Sequence, residues 1–181
     1  MTIDSDIESA AQRLLDIYRI TYVPVPVEEV AKKAGINLFP FDLGADVSGA
    51  LYITNGVSNI GYNPNESKVR QRFTIAHELG HFTLHHGLET VFVDNENYYQ
   101  FLMFRSTNLS LSQNDLKKEQ EANAFAAALL MPQLSVKNEV QGYGGFDFSD
   151  STMINELSKK FEVSTQAMSY RIINLAQSGV L

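Results

Sequence analysis

The sequence contains no cysteine, no long apolar run and no excess of basic residues, and each absence excludes a class of protein. Without cysteine, neither a disulfide framework nor a cysteine-ligated zinc site can form, so any bound metal must be held by His, Asp or Glu. No stretch approaches ~20 uninterrupted apolar residues, so we expect no membrane span. The formal net charge of −7 argues against a general nucleic-acid binder, because such binding depends on Lys and Arg side chains that neutralise phosphates.

The rest of the composition is that of an ordinary globular protein. Hydrophobic residues make up 44% and charged residues 19% of the 181 positions, which is enough for one well-buried core. Residues 1–8 are acidic and carry no apolar segment, so we expect no signal peptide and a cytoplasmic location.

Periodicity along the chain predicts an α+β fold. Short segments rich in β-branched or aromatic residues predict a small sheet, which we expect to be antiparallel because the connections are too short for crossovers. These segments are 36–41, 49–54 and 58–63. Apolar residues at helical spacing predict helices, with Gly35 and Pro132 as stop signals. The predicted helices are 3–18, 27–34, 66–86, 115–131, 150–161 and 164–177.

Two further regions bear on the organisation of the chain. Residues 88–114 mix strongly apolar and polar stretches, and we expect them to lie near a cleft. Residues 141–150 are the most linker-like, which predicts a domain of residues 1–140 and a C-terminal helix-turn-helix-like hairpin of residues 141–181 packed on it. The hairpin is expected to turn at Val163 with Ser164 as N-cap. Residues 151–181 hold three basic and two acidic side chains, and this net charge of +1 provides little attraction for DNA.

All four histidines fall between residues 77 and 86, and the sequence from His77 to His81 reads H-E-x-x-H. Residues four apart share one face of a helix, so both imidazoles can point at one ion. Zinc accepts neutral imidazole at ~2.0–2.1 Å, which this spacing satisfies. Glu78 projects to the side of the two ligands, where it can reach a water in the open coordination position.

A catalytic zinc site needs a third protein ligand, and the predicted helix 115–131 offers Glu119 or Glu121. A ligand at Glu119 places Asn123 on the same face, where its side chain can hydrogen-bond a ligating histidine and fix the tautomer. Glu121 gains no such polar partner, so we favour Glu119. In the alternative without a metal, these glutamates are solvated surface charges and Asn123 is unexplained.

The other residues near the motif favour structural roles. His85 and His86 could contact a substrate, but capping or packing the end of the helix is favoured. Arg70 and Arg72 could donate hydrogen bonds to substrate carbonyls, although structural ion pairs are the preferred interpretation.

Two longer stretches resemble the ImmA/IrrE family of bacterial metallo-endopeptidases: RQRFTIAHELGHF at 70–82 and EQEANAFAAALLMP at 119–132. The resemblance extends over roughly residues 10–175, and the chain departs from the pattern in its long interval between His81 and Glu119. It implies a gluzincin-like arrangement of His77, His81 and Glu119 on zinc, with Glu78 catalytic. It also implies a protein substrate, since members of the family cleave helix-turn-helix repressors.

The sequence therefore predicts a zinc-dependent endopeptidase that cleaves a helix-turn-helix transcriptional repressor, with neither nucleic acid nor membrane as a partner. One alternative is a non-proteolytic, zinc-containing regulatory module that binds a repressor or DNA. Another is an enzyme that stays inactive until a signal frees its cleft, with residues 88–114 as a lid. Manganese or iron could replace zinc, although ligand type and geometry favour zinc.

Overall fold

A computed structural model of the protein describes residues 5–41, 48–54, 56–84, 113–143 and 151–181. Within these ranges the chain forms α1 (Ser5–Tyr18), α2 (Val27–Lys33), β1 (Asn37–Pro40), β2 (Gly49–Thr54), β3 (Val57–Tyr62), α3 (Lys68–Thr83), α4 (Gln113–Leu130), α5 (Gln133–Gly142), α6 (Ser151–Phe161) and α7 (Thr165–Gln177). This content confirms the predicted α+β class. Among the helices just given, none is long and apolar enough to cross a membrane.

Contacts between residues divide the chain into two compact units. One consists of Met1–Pro26 with Ala124–Leu181, and the other of Val27–Asn123. The predicted domains, 1–140 and 141–181, stay a prediction, because contact density does not test which part folds by itself.

The sheet lies in the unit Val27–Asn123 and is mixed. β2 and β3 form an antiparallel hairpin with Gly49 opposite Tyr62. β1 lies on the other side of β3 and runs parallel to it, so the strand order is β1-β3-β2. The expectation of a wholly antiparallel sheet was wrong for this pair, because it assumed that β1 would pair with the next strand in sequence. The chain passes through β2 before it returns as β3, and this supplies the long connection that parallel strands need.

The end of α2 follows the sequence prediction. Gly35 has a φ of 78°, a left-handed conformation that glycine adopts without steric cost. The N–H of Gly35 donates to the carbonyl of Lys32 and the N–H of Ile36 donates to that of Ala31, both at 3.0 Å. This pair of bonds is a Schellman motif, which satisfies carbonyls at the helix end and turns the chain into β1.

α3 carries the predicted metal-binding motif and is capped at its start. The hydroxyl of Ser67 accepts a hydrogen bond from the N–H of Arg70 at 3.3 Å, which satisfies one of the free donors of the first turn. The helix contacts α2, β2 and β3. Ile75, Ala76 and Leu79 are at most 1% exposed, so this helix is embedded in its unit.

The other unit is helical. Its largest fully buried side chains are Leu15, Phe125, Leu129, Leu130, Met131, Met153, Leu157 and Phe161. Pro132 ends α4 as predicted, but it also stands at the N-cap of α5, a helix that the sequence analysis did not assign. Proline is well tolerated where a helix begins, because the N–H it lacks would have no helical partner there.

The predicted helical hairpin is present as α6 and α7, which contact each other. Glu162 has a φ of 53° at the turn, and the hydroxyl of Ser164 accepts from the N–H of Ala167 at 3.1 Å, so the predicted N-cap is confirmed. Residues 144–150, most of the predicted linker, lie outside the described residues.

A buried ion pair joins the N-terminal and C-terminal helices of this unit. Arg171 of α7 is 4% exposed and donates from both terminal nitrogens to the carboxylate of Glu8 in α1. Its Nε donates to the carbonyl of Met131 at 3.0 Å. One guanidinium therefore connects α1, α7 and the end of α4, in the forked geometry that arginine provides.

Removing this guanidinium should destabilise the protein strongly. Arg171→Met keeps the aliphatic stem but leaves a largely buried carboxylate and a carbonyl without their partner, so the free energy of unfolding should fall by roughly 3 kcal/mol. The matched control is Lys33→Met, which breaks the exposed pair Lys33–Glu29 at 2.7 Å. That variant should lose less than ~0.5 kcal/mol. Urea denaturation measures both, and equal losses would contradict the role given to Arg171.

Candidate metal centre

Two imidazoles converge on one side of α3. His77 and His81 are one helical turn apart, their ring centroids are separated by 4.7 Å, and the rings are tilted by 77°. Their Nε2 atoms are 3.0 Å apart. The side chains are 15% and 5% exposed respectively, so both are largely buried and solvent reaches a small part of each.

A carboxylate from α4 completes the group. Oε2 of Glu119 lies 3.1 Å from Nε2 of His77. Its Oε1 lies 3.2 Å from Nε2 of His81. One possible ligand atom from each of the three residues lies within 4.8 Å of the others, and all three residues belong to the unit Val27–Asn123. These three side chains could hold a metal ion.

The spacing of these atoms fits a single small cation. Two ligands bonded to one tetrahedral zinc at ~2.05 Å would lie about 3.3 Å apart. The observed separations between the nitrogen and oxygen atoms, 3.0 to 3.2 Å, are close to that value. Two imidazole nitrogens and one carboxylate also form a donor set that zinc accepts, and they leave a fourth position open.

Asn123 orients one of the imidazoles. Its Oδ1 lies 3.0 Å from Nδ1 of His77. An amide oxygen can only accept, so this contact is a hydrogen bond when Nδ1 of His77 carries a proton, and that tautomer leaves Nε2 available as a metal ligand. The supporting role that the sequence predicts for Asn123 stays a prediction, and this contact is the one that the role requires.

The structure separates the two candidate glutamates. Glu119 faces the histidines, whereas the carboxylate of Glu121 lies 3.6 Å from Nζ of Lys117 on its own helix. The two positions differ by about 200° around α4, because each residue advances the helix by about 100°. Glu119 as metal ligand stays a prediction, and its placement is the one that this role requires.

Glu78 directly follows His77 on α3 and belongs to the neighbouring face of the helix. It is 2% exposed, and its position is about 100° round α3 from His77. A Cβ placed on Gly49 of β2 would lie 3.7 Å from Cγ of Glu78 and 2.2 Å from Cγ2 of Thr74. Sequence reasoning gave Gly49 and Thr74 no role. The only available signal was a glycine at the first position of a predicted strand, where side chains usually contribute to packing.

The remaining candidates have structural contacts or lie outside the described ranges. Arg70 donates to the hydroxyl of Ser48 at 3.1 and 3.3 Å and lies 3.8 Å from the carboxylate of Glu66, as expected for a structural ion pair. Arg72 is 6% exposed. His85, His86 and residues 88–112 are not among the described residues.

The fold and the site define a class: an α+β protein with an H-E-x-x-H helix whose histidines face a carboxylate from a second helix. A model of the peptidase family described as the IrrE N-terminal-like domain matches residues 31–172. The chain belongs to this family.

Two relatives extend the comparison. The chain is 32% identical over 126 residues to the "Uncharacterized immunity region protein 2" of Bacillus phage phi105, a match that covers 70% of this chain and 68% of that protein. It also resembles a solved structure titled "Mycobacterium tuberculosis transcriptional regulator", with a TM-score of 0.67 over 95% of this chain. At 17% identity that likeness shows the fold alone, and the chain spans 48% of the regulator's length.

Removal of the Glu119 carboxylate should abolish tight metal binding. Glu119→Ala leaves only two protein ligands, so the purified variant should contain little metal, whereas Glu121→Ala should keep the wild-type content. Elemental analysis of both variants after dialysis gives the comparison. Metal lost only from the Glu121 variant would overturn the assignment.

Asn123→Ala should weaken metal binding without abolishing it. Without the amide acceptor, Nδ1 of His77 loses the bond that fixes its tautomer, so we expect a 10- to 100-fold loss of affinity, on the order found for such supporting contacts. Asn123→Asp keeps an acceptor at the same place and should retain tight binding. Competition with a chromogenic chelator measures the affinities, and equal losses in both variants would contradict the orienting role.

Proposed function

We propose that the protein is a zinc-dependent endopeptidase. The observation that carries the proposal is the convergence of His77, His81 and Glu119, within a chain that belongs to a peptidase family. Three protein ligands with a remaining open position are typical of catalytic zinc sites, whereas structural sites have four protein ligands. The nitrogen and oxygen donors favour zinc among the divalent metals, with manganese and iron as alternatives.

The proposed chemistry is hydrolysis of a peptide bond. Bound zinc would supply a polarised water and a Lewis acid for the scissile carbonyl. Glu78 accepts the proton of the attacking water as the new C–O bond forms. The same carboxyl group then gives the proton to the amine that leaves when the C–N bond breaks. Glu78 is 2% exposed and adjoins His77 in sequence, and a buried carboxylate next to a metal site is a candidate for proton transfer.

The proposed substrate is a helix-turn-helix repressor, and the proposed setting is the cytoplasm. One relative is titled an immunity region protein of a phage, and the structural neighbour is titled a transcriptional regulator. These titles agree with the resemblance to a family whose members cleave such repressors. A repressor is a protein substrate that an endopeptidase can inactivate by one cut.

Charges on the C-terminal hairpin favour a protein partner over DNA. Of the three basic residues in 151–181, Arg171 is buried in the pair with Glu8. Nζ of Lys160 lies 2.6 Å from the carboxylate of Glu139. A DNA-binding hairpin needs cations free to neutralise phosphates, and these two are engaged within the protein. The rival proposal, a module that binds DNA through this hairpin, is therefore the less supported.

Glu78→Gln should keep zinc and lose cleavage. Glutamine has nearly the shape of glutamate but cannot accept the proton, so we expect kcat to fall by about 10²- to 10⁴-fold. The first measurement is the zinc content of both proteins. In the second, wild type and variant are incubated with a helix-turn-helix repressor from the same genome, and the products are identified by mass spectrometry.

Glu121→Gln is the matched control, because it makes the same chemical change on the side of α4 away from the histidines. Wild-type cleavage by Glu78→Gln would refute the assigned base. If the wild-type protein binds the repressor but does not cleave it, the non-proteolytic alternative is favoured. A gel-shift assay with operator DNA would show whether such a module binds DNA.

A further inference from the structure

Strand β2 approaches α3 too closely at Gly49 for any side chain to fit. A Cβ on Gly49 would lie 2.2 Å from Cγ2 of Thr74 and 3.1 Å from the carbonyl oxygen of Gly61. Carbon atoms in contact are normally ~3.5–4.0 Å apart. Gly49 does not have a positive φ, so its conformation is open to alanine and the requirement for glycine comes from space alone.

The contact falls on the stripe of α3 that carries Glu78. Thr74 and Glu78 are four residues apart and therefore lie on one face, which meets the start of β2. His77 and His81 form the neighbouring stripe, which meets Glu119 of α4. Thus Glu119 of α4 contacts one stripe of α3, and the backbone of β2 lies against the adjacent stripe.

We propose that Gly49 is a positioning residue for Glu78: the missing side chain lets the β2 backbone lie against the Thr74–Glu78 stripe and hold Glu78 in its working orientation. The inference rests on the proposed function, in which Glu78 is the base. A carboxylate on an unbranched side chain has several accessible rotamers, and packing of α3 against β2 on the Thr74–Glu78 stripe removes some of them. Such restraint matters because a misplacement of about 1 Å can cost roughly 100-fold in rate.

The neighbours of Gly49 cannot easily move away from an added methyl group. β2 is held by its pairing with β3, in which Gly49 stands opposite Tyr62. Immediately before the strand, the carbonyl of Ser48 accepts from the N–H of Asn63 at 3.0 Å. Thr74 is β-branched, so its side chain has few rotamers on a helix. The added methyl group must therefore push the Thr74–Glu78 stripe of α3 away from β2, and Glu78 shifts with that stripe.

The test uses four variants of the full-length protein. Gly49→Ala introduces the clash, and Thr74→Ser removes the Cγ2 atom that would be struck. The double variant combines the two, and its new methyl group then meets no atom closer than 3.1 Å. Gly61→Ala is the matched control, because it adds the same methyl group in the neighbouring strand, where a Cβ would meet nothing within 4 Å among the described residues.

Three measurements separate positioning from general damage. Metal-free melting temperatures should fall by about 5 °C for Gly49→Ala, on the order of an overpacked core, and recover in the double variant. Crystal structures of wild type and Gly49→Ala should show the Glu78 carboxylate displaced by about 1 Å relative to His77 and His81. With the repressor as substrate, kcat should fall by about 100-fold at unchanged zinc content and KM, and recover with Thr74→Ser.

An unmoved Glu78 in the crystal structure of Gly49→Ala would overturn the inference, as would failure of Thr74→Ser to restore kcat. A Gly61→Ala variant as impaired as Gly49→Ala would also count against it. If the wild-type protein cleaves nothing, the proposed function fails, while the melting temperatures and the position of Glu78 still decide whether Gly49 sets that side chain. The two failures are therefore distinguishable.

Discussion

Three electron-pair donors from two helices meet within 3.2 Å of one another, and this crowding is the constraint on which the centre depends. Imidazole nitrogens and carboxylate oxygens with lone pairs facing inward repel each other unless a cation lies between them. A metal ion would turn that repulsion into a cross-link between α3 and α4. Because ligand groups are rarely assembled in an unfolded chain, the free energy of metal binding would also contribute to folding.

The arrangement around α3 shows how neighbouring stripes of one helix can serve different tasks. The stripe of His77 and His81 faces polar groups on α4, and one of these, the side-chain oxygen of Asn123, lies 3.0 Å from Nδ1 of His77. The next stripe packs against the backbone of β2. The helix is capped by Ser67 and buried through Leu79, so both stripes are presented by the same rigid element. Sites placed on regular elements hold their geometry more closely than sites on loops.

Local rules account for most of what the sequence could predict. Four-residue spacing placed the histidines on one face, and the same rule paired Glu119 with Asn123 on α4. The cap at Ser164 and the helix stop at Gly35 also follow from single-residue chemistry. These features depend on neighbours a few residues away, and the resemblance to a peptidase family then added a chemical context for them.

Features set by distant parts of the chain could not be predicted in this way. The parallel pairing of β1 with β3 depends on which edge of a hairpin a third strand joins, and no local pattern encodes that choice. Helix α5 was missed because Pro132 was treated only as an end and not also as a beginning. The demand for glycine at position 49 arises from Thr74, which is remote in sequence and adjacent in space.

The side chain of Glu119 is 37% exposed, whereas those of His77 and His81, which it faces, are 15% and 5% exposed. A ligand that solvent can reach offers a route by which a bound ion exchanges with its surroundings. With zinc as the ion, as proposed above, occupancy of the centre would follow the zinc supply at a constant abundance of the protein.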